Sequence, residues 1–149
     1  NWCLDPASVR EKITDKTKAI IVVDLYGNMP DMDALEAISK EYDIPLIEDA
    51  AEALGSTYKG VRAGKFGVGG VHSFHRTKTI ATGEGGVLLL DDDELFERAK
   101  FLRDHGRSSE IAYYTLEATP KYMPSNLQAS MAWAQFPSLE HAVMIQKQR

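Results

Sequence analysis

The sequence predicts an α/β fold, in which a mostly parallel sheet lies between helices, and one strand-helix-strand unit carries most of this prediction. Residues 19–26 form a continuous β-branched and apolar run, typical of a parallel strand buried on both faces. A helix capped by Asp31 should follow, with an apolar side that consists of Met32, Leu35, Ile38 and Tyr42. Residues 45–48 read as the next strand. Such a unit predicts a right-handed crossover between two parallel strands.

The flanking segments extend this pattern. Asp5 and Pro6 predict the start of a short helix over residues 7–14, because proline suits the first helical position. Residues 50–54 are predicted to form one helical turn. The glycine-rich segment 55–70 is predicted to be loop and turn, with a short hairpin around its Lys-Gly pair, before a third strand over residues 71–74.

The second half of the chain alternates strand and helix again. A fourth strand is predicted over residues 86–90 and a helix over residues 94–104, with Leu95, Ala99 and Leu102 facing inward. Gly106 should terminate that helix. A last helix begins near Asn126, and Pro137 should kink or break it.

Composition bounds the function classes. The chain has 149 residues, enough for one domain of ordinary size, and a formal net charge of -5 that argues against a nucleic-acid-binding role. Its single cysteine, Cys3, excludes an internal disulfide and suits a reducing compartment, so a cytoplasmic location is expected. The apolar runs are too short to span a bilayer.

A single lysine, Lys78, stands between two predicted strands among hydroxyl residues and glycines. Ser73, Thr77, Thr79 and Thr82 supply hydroxyl groups, and Gly83, Gly85 and Gly86 allow the backbone to approach a ligand. An isolated lysine in a sequence is usually a solvated surface residue. In this context it is also a candidate nucleophile.

A carboxylate, Asp49, closes the predicted strand 45–48. In open parallel sheets, ligands bind at the carboxyl ends of the strands, so Asp49 is placed where a ligand would be. Capping of the following turn is the alternative interpretation. A lysine amine together with an acid at a strand end is what pyridoxal phosphate (PLP) chemistry needs, since the amine forms a Schiff base and the acid keeps the pyridine nitrogen protonated.

Other site types fit less well. The glycines of residues 64–70 precede a strand, so they do not match the dinucleotide-binding pattern, and no phosphate-binding Gly-Lys-Ser/Thr motif is present. The histidines His72, His75, His105 and His141 lack the spacing of a zinc site, and no metal is expected. Cys3 reads as a small buried hydrophobe.

Several segments, in order and spacing, resemble the DegT/DnrJ/EryC1/StrS aminotransferases. These are residues 17–21, 24–27, 48–56, 64–67, 73–78, 82–86 and 102–106. The similarity covers nearly the whole chain. It is greatest to enzymes that aminate a 4-keto-6-deoxy sugar nucleotide.

The resemblance implies the fold type I architecture of PLP enzymes, with an active site at a homodimer interface. It implies that Lys78 is the Schiff-base lysine and that Asp49 pairs with the pyridine nitrogen. Glu52 corresponds to the group near the ring hydroxyl, and Ser73 to a phosphate ligand. Lys121 stands where the family usually has an asparagine that reaches the cofactor phosphate of the partner subunit. Lys121 could therefore serve as a phosphate partner.

The resemblance also implies the reaction and the extent of the protein. It implies transfer of an amino group, with glutamate as the donor, to a keto-sugar nucleotide in polysaccharide or O-antigen synthesis. Residues 1–149 would be the second half of a PLP-binding large domain, without the upstream strands and the carboxyl-terminal small domain. Two alternatives stay open. One is a sugar dehydratase, although those relatives replace the lysine with histidine, and the other is a non-catalytic regulatory member.

Overall fold

The computed structural model describes residues 2–148 and is organised around the strand-helix-strand unit. Helix α1 (Pro6–Lys12) precedes strand β1 (Ile20–Val23), helix α2 (Met32–Tyr42) and strand β2 (Leu46–Asp49). Residues 20–23 pair in parallel with residues 46–49, as the strand-helix-strand pattern predicts.

The main sheet has four strands. A short hairpin, β3 (Thr57–Tyr58) and β4 (Val61–Arg62), forms a separate two-stranded sheet and confirms the predicted hairpin. Strands β5 (Gly69–Ser73) and β6 (Gly86–Leu89) complete the main sheet, in the order β1-β2-β5-β6. The first three strands are parallel and β6 is antiparallel to β5, so the sheet is mostly parallel.

The remaining helices follow the sheet. Helix α3 (Asp93–Arg103) comes directly after β6, and α4 (Asn126–Gln135) is joined to α5 (Leu139–Lys147) by a short 3-10 helix. Pro137 lies in that 3-10 helix, so the predicted interruption is confirmed. In the part of the chain that the structure describes, no helix combines the length and the apolar character needed to cross a membrane.

Helix α2 contributes three residues to the main buried cluster, more than any other element, and its own sequence sets where it begins and ends. The Asp31 carboxylate accepts a hydrogen bond from the Ala34 N–H at 3.1 Å, and Asp43 ends the helix in the left-handed conformation, with φ of 52°. The buried cluster around this helix consists of Val9, Ile20, Val22, Met32, Leu35, Ile38, Ile44, Leu46 and Phe66. This cluster fixes the positions of β1 and β2, whose carboxyl ends carry part of the site.

The expectation that β1 is buried on both faces is wrong for this chain. Its residues alternate between buried and exposed, with Ile21 62% and Val23 41% exposed. Helices α1 and α2 contribute to the core on the side of Ile20 and Val22, so the opposite face remains open.

Two further local expectations also fail. Residues 50–54 form turns rather than a helical turn, with the Ala53 N–H donating to the Ala50 carbonyl at 2.9 Å. Helix α3 has no buried residue; of the three residues predicted to face inward, Leu95 is 44% exposed, whereas Ala99 and Leu102 are half-buried. The apolar side of α3 has no element of the described chain that covers it fully.

Candidate active site

Three loops lead from the carboxyl ends of the parallel strands. Residues 24–27 follow β1, residues 50–56 follow β2, and residues 74–85 follow β5. Parallel strands end at the same edge of a sheet, which brings these loops together. This edge of the sheet is therefore the place where the sequence predicted a ligand-binding site.

The loop after β5 holds Lys78 through its own backbone. The Phe74 N–H donates to the Gly85 carbonyl at 2.8 Å, and the Arg76 N–H donates to the Gly83 carbonyl at 3.0 Å. The Lys78 N–H donates to the His75 carbonyl at 2.9 Å, which closes a turn at the tip. These bonds connect β5 to the antiparallel β6 and make the lysine the projecting residue of a constrained loop.

Lys78 lies in a cleft of ≈ 370 Å³, and an acid lies beside it. The Lys78 Nζ is 3.3 Å from Glu52 Oε1, and the Tyr26 N–H donates to Glu52 Oε2 at 2.9 Å. The Tyr26 N–H, and then Lys78, lower the pKa of Glu52 below its ordinary value. The cleft is lined by Tyr26, Ala51, Glu52, Leu54, Thr77, Lys78, Thr79 and Gln146.

Asp49 and Ser73 lie at neighbouring strand ends. Asp49 is half-buried, and its carboxylate accepts a hydrogen bond from the Ala51 N–H at 3.1 Å, as the capping interpretation expects. Ser73 Oγ accepts from the His75 N–H at 3.1 Å. The strand register pairs Asp49 with Val71, two residues before Ser73, so both side chains belong to the same face of the sheet.

Lys121 is not among the residues that line the cleft. It is exposed and forms an isolated bridge with Asp104, just beyond the end of α3. The structure thus brings Lys78 and Glu52 together, keeps Asp49 and Ser73 at adjacent strand ends, and holds Lys121 elsewhere.

Sequence reasoning did not single out Tyr26, Ala51, Leu54 or Gln146 as residues of the cleft, and two of these make hydrogen bonds that shape it. Tyr26 has a left-handed backbone, with φ of 55° and ψ of 28°, which turns its N–H toward Glu52. Gln146 of α5 accepts a hydrogen bond from Thr79 Oγ1 at 3.0 Å, across 67 positions of sequence. Nothing in the local sequence signals either contact, because both depend on how distant segments pack.

Comparison with known proteins decides the family. Residues 1–149 match the DegT/DnrJ/EryC1/StrS aminotransferase family model over their whole length. The chain belongs to this family. Aminotransferases of the family are PLP-dependent.

Curated relatives carry several kinds of name. The chain is 40% identical over 138 residues to a pleiotropic regulatory protein of Geobacillus stearothermophilus, covering 92% of the chain and 37% of that protein. It is 43% identical over 129 residues to the L-glutamine:2-deoxy-scyllo-inosose aminotransferase of Micromonospora echinospora, covering 83% and 31%. It is 37% identical over 137 residues to the GDP-perosamine synthase of Caulobacter vibrioides, covering 92% and 37%. The chain thus spans about a third of the length of these relatives.

Solved structures confirm the fold class. 3-Amino-5-hydroxybenzoic acid synthase superposes with a TM-score of 0.91 at 32% identity, covering 99% of this chain and 39% of that one. An E. coli GDP-4-keto-6-deoxy-D-mannose-3-dehydratase with bound hydrated PLP gives 0.83 at 30% identity, covering 93% and 40%. This DegT/DnrJ/EryC1/StrS chain is therefore a partial domain of the PLP-dependent aminotransferase fold.

The residues of the cleft fit PLP chemically. Lys78 supplies one primary amine, and Thr77 and Thr79 supply hydroxyl groups able to donate to a phosphate. Asp49 supplies a carboxylate at the adjoining strand end. The cleft volume of ≈ 370 Å³ falls in the range of about 300–1,000 Å³ that is usual for small-molecule sites.

Proposed function

We propose that this chain forms part of the cofactor-binding domain of an aminotransferase that moves an amino group from an amino acid to a keto-sugar nucleotide. The observation that carries the proposal is the position of Lys78, whose amine lies in a cleft at the sheet edge, 3.3 Å from the Glu52 carboxylate. Family membership and the names of the sugar-modifying relatives support the same reaction class.

Each residue has a distinct part in the proposal. When bound, PLP supplies an aldehyde and a ring that withdraws electrons from the reacting carbon. Lys78 would hold the cofactor covalently and would carry a proton at the reacting carbon when its amine is free. Asp49 would keep the ring nitrogen protonated, Glu52 would serve the ring hydroxyl, and Ser73 would bind the phosphate.

Lys121 belongs to a second subunit's site in this proposal. Its exposed ammonium lies outside the cleft and is available to the cofactor phosphate of the partner subunit in a homodimer. The complete active site would then need two copies of the protein.

The substrates that we propose are more specific than family membership alone implies. We propose a 4-keto-6-deoxy sugar nucleotide as acceptor, because a GDP-perosamine synthase is among the relatives. Glutamate is the proposed donor, and the relative named as an L-glutamine-dependent aminotransferase makes glutamine the competitor to test. The proposed setting is cytoplasmic synthesis of a surface polysaccharide such as an O-antigen.

The first experiment locates the covalent attachment. The protein is incubated with PLP, reduced with borohydride and digested, and mass spectrometry should find the phosphopyridoxyl group on Lys78. Lys78→Ala should lose that label. Lys65→Ala is the matched control, because Lys65 is exposed and paired with Asp91 away from the cleft, and it should keep the label. Labelling of another lysine, or a label that survives Lys78→Ala, would refute the assignment.

The second experiment separates the reaction classes. Keto-sugar nucleotides are supplied with glutamate, glutamine or no donor, and the products are analysed by mass spectrometry. An amino sugar formed only with a donor supports the aminotransferase. A deoxygenated sugar without incorporated nitrogen would favour a dehydratase, the activity named for one structural neighbour.

A regulatory role is the remaining candidate, since one relative is named a pleiotropic regulatory protein. In that case Lys78 would be labelled by PLP and borohydride, but no amino donor would change the spectrum of the bound cofactor.

A further inference from the structure

Two carboxyl groups are buried beside the cleft, and neither has a part in the proposed reaction. Asp24 follows β1 and Glu48 belongs to β2, and both are 0% exposed. The register places Val22 opposite Glu48, so Asp24, two residues further along, continues the same face of the sheet. Asp49, the proposed cofactor ligand, belongs to the opposite face. The two acids therefore lie behind the site rather than in it.

The two groups have too few hydrogen-bond donors to be two carboxylates. Glu48 Oε2 accepts from the Phe66 N–H at 2.8 Å. Both oxygens of Asp24 and the second oxygen of Glu48 have no donor among residues 2–148. A buried anion without donors is strongly unfavourable. Asp24 is the diagonal neighbour of Glu48 on the same face of adjacent strands, which is within side-chain reach, and one proton shared between the two carboxyl groups would make a hydrogen bond.

The backbone of Asp24 connects this pair to the cleft. Its N–H donates to the Asp49 carbonyl at 3.0 Å, and its carbonyl accepts from the Gly27 N–H at 3.1 Å. Between these two bonds the chain makes the turn in which Tyr26 adopts its left-handed backbone. That turn aims the Tyr26 N–H at Glu52.

We infer that Asp24 and Glu48 share one proton at neutral pH, and that this proton holds the turn 24–27 closed so that Tyr26 keeps Glu52 beside Lys78. The two acids are positioning residues, since neither lines the cleft. The inference concerns the geometry of the cleft and holds whichever reaction the cleft serves.

The charges around Asp24 favour the protonated form. Burial first, then Glu48 and Asp49, raise the pKa of Asp24 to about 8. No cation among residues 2–148 contributes to that shift in pKa. Loss of the proton would leave two adjacent anions out of contact with water. Opening the turn 24–27 would let water reach them and so lower the electrostatic cost.

Titratable side chains on the neighbouring elements have partners of their own. His72 of β5 has its Nδ1 at 3.0 Å from the Ala50 carbonyl and its Nε2 at 3.2 Å from the Ala63 carbonyl. Glu36 of α2 accepts from the Gly67 N–H at 3.3 Å. His72 and Glu36 are therefore not needed to account for the proton, which we assign to the Asp24–Glu48 pair.

The proton can be detected through the pH dependence of stability. An unfolded aspartate ionises near its ordinary pKa of 3.8, whereas the folded pair keeps its proton to about pH 8. Stability is therefore lost as the pH rises between these values. In that window one extra proton in the folded state makes the unfolding equilibrium constant rise about tenfold per pH unit.

The variant Asp24→Asn/Glu48→Gln removes both ionisable groups and replaces them with amides of similar shape, which supply N–H donors at any pH. Urea unfolding of the protein from about pH 5 to about pH 7.5 should show the steep dependence only in the wild type, by the same linkage. Asp15→Asn, in the exposed loop after α1, is the control and should behave as the wild type. Parallel pH profiles for the wild type and the double variant would overturn the inference.

The effect of the shared proton on the turn 24–27 can be measured in the unmodified protein. Hydrogen exchange measured by mass spectrometry follows the peptide that contains residues 24–27. The labelling times are scaled to correct for the pH dependence of the intrinsic amide exchange rate. Between about pH 7 and about pH 9 the protonated fraction falls about tenfold, and protection of this peptide should fall with it. A pair that is only structural would show the stability profile while the peptide stays equally protected, and that result would also overturn the inference.

Discussion

The two halves of the molecule differ in how completely this chain covers them. Every member of the larger buried cluster lies between residues 9 and 66. Helices α3 and α4 contain no buried residue, and large apolar side chains remain in solvent, with Leu127 78% and Trp133 81% exposed. We call residues 5–73 the covered half and residues 86–148 the open half. The covered half carries its own core, whereas the open half presents surface that nothing in residues 2–148 covers.

The candidate site lies where the two halves meet. The covered half holds the Lys78 loop through Glu52. The open half holds the same loop through glutamines, since Ala81 exchanges two hydrogen bonds with the Gln135 side chain, at 3.0 and 2.9 Å. The Lys78 loop is thus held on one side by the covered half, which has a packed core. On the other side it is held by the open half, mainly through polar contacts.

The largest expected effect separates the two halves directly. Leu35→Ala empties a fully buried position of α2 and should lower the free energy of unfolding by about 2–5 kcal/mol. Leu127→Ala makes the same change at the exposed start of α4 and should stay within about 0.5 kcal/mol. Urea unfolding followed by circular dichroism measures both. Equal losses for the two variants would contradict the division into covered and open halves.

Sequence reasoning succeeded where the signals were local. Helix α2 has its capping aspartate and its apolar period within residues 31–42, and both were predicted, although Tyr42 at the end of the apolar side is 42% exposed. The prediction that β1 is buried on both faces was wrong. Burial of its second face requires packing against another element, which the residues of β1 do not determine. The inward face predicted for α3 fails at Leu95 for the same physical reason, whereas Ala99 and Leu102 are half-buried.

Two glycines sharpen the comparison further, because they share backbone strain and differ in packing. Gly67 and Gly83 have φ of +70° and +84°, so alanine at either should cost about 1–2 kcal/mol. A Cβ at Gly67 would lie 2.1 Å from the Leu46 carbonyl oxygen, whereas one at Gly83 would have no neighbour within 4 Å among the residues that the structure describes. Overpacking should make Gly67→Ala worse by about 1–3 kcal/mol more. Comparable urea midpoints for the two variants would show that the loop around Gly67 is not held tightly against β2.

The candidate site was predictable in kind but not in geometry. Lys78 and Asp49 could be selected because each follows a strand in a parallel pattern, and the family resemblance added Glu52. The contact between Lys78 and Glu52 spans 26 positions and depends on β5 lying next to β2. Burial of Asp24 with Glu48 likewise arises from strand register, which no local pattern reveals.

The smallest expected effect tests the ion pair that ties the Lys78 loop to the covered half. Glu52→Gln keeps an acceptor for the Tyr26 N–H but removes the charge beside Lys78, and should cost less than about 1 kcal/mol near pH 7 because the pair is partly solvated. The pKa of Glu52 is lowered from 4.5, so its stabilisation is present above that pH and is lost as the pH falls below it. Wild type and Glu52→Gln should therefore converge in urea unfolding as the pH falls below that value. Glu11→Gln, on the exposed surface of α1, should match the wild type at every pH. A Glu52→Gln deficit that persists in acid would mean that the carboxylate acts through its shape and its bond to Tyr26, and that its charge does not hold the Lys78 loop.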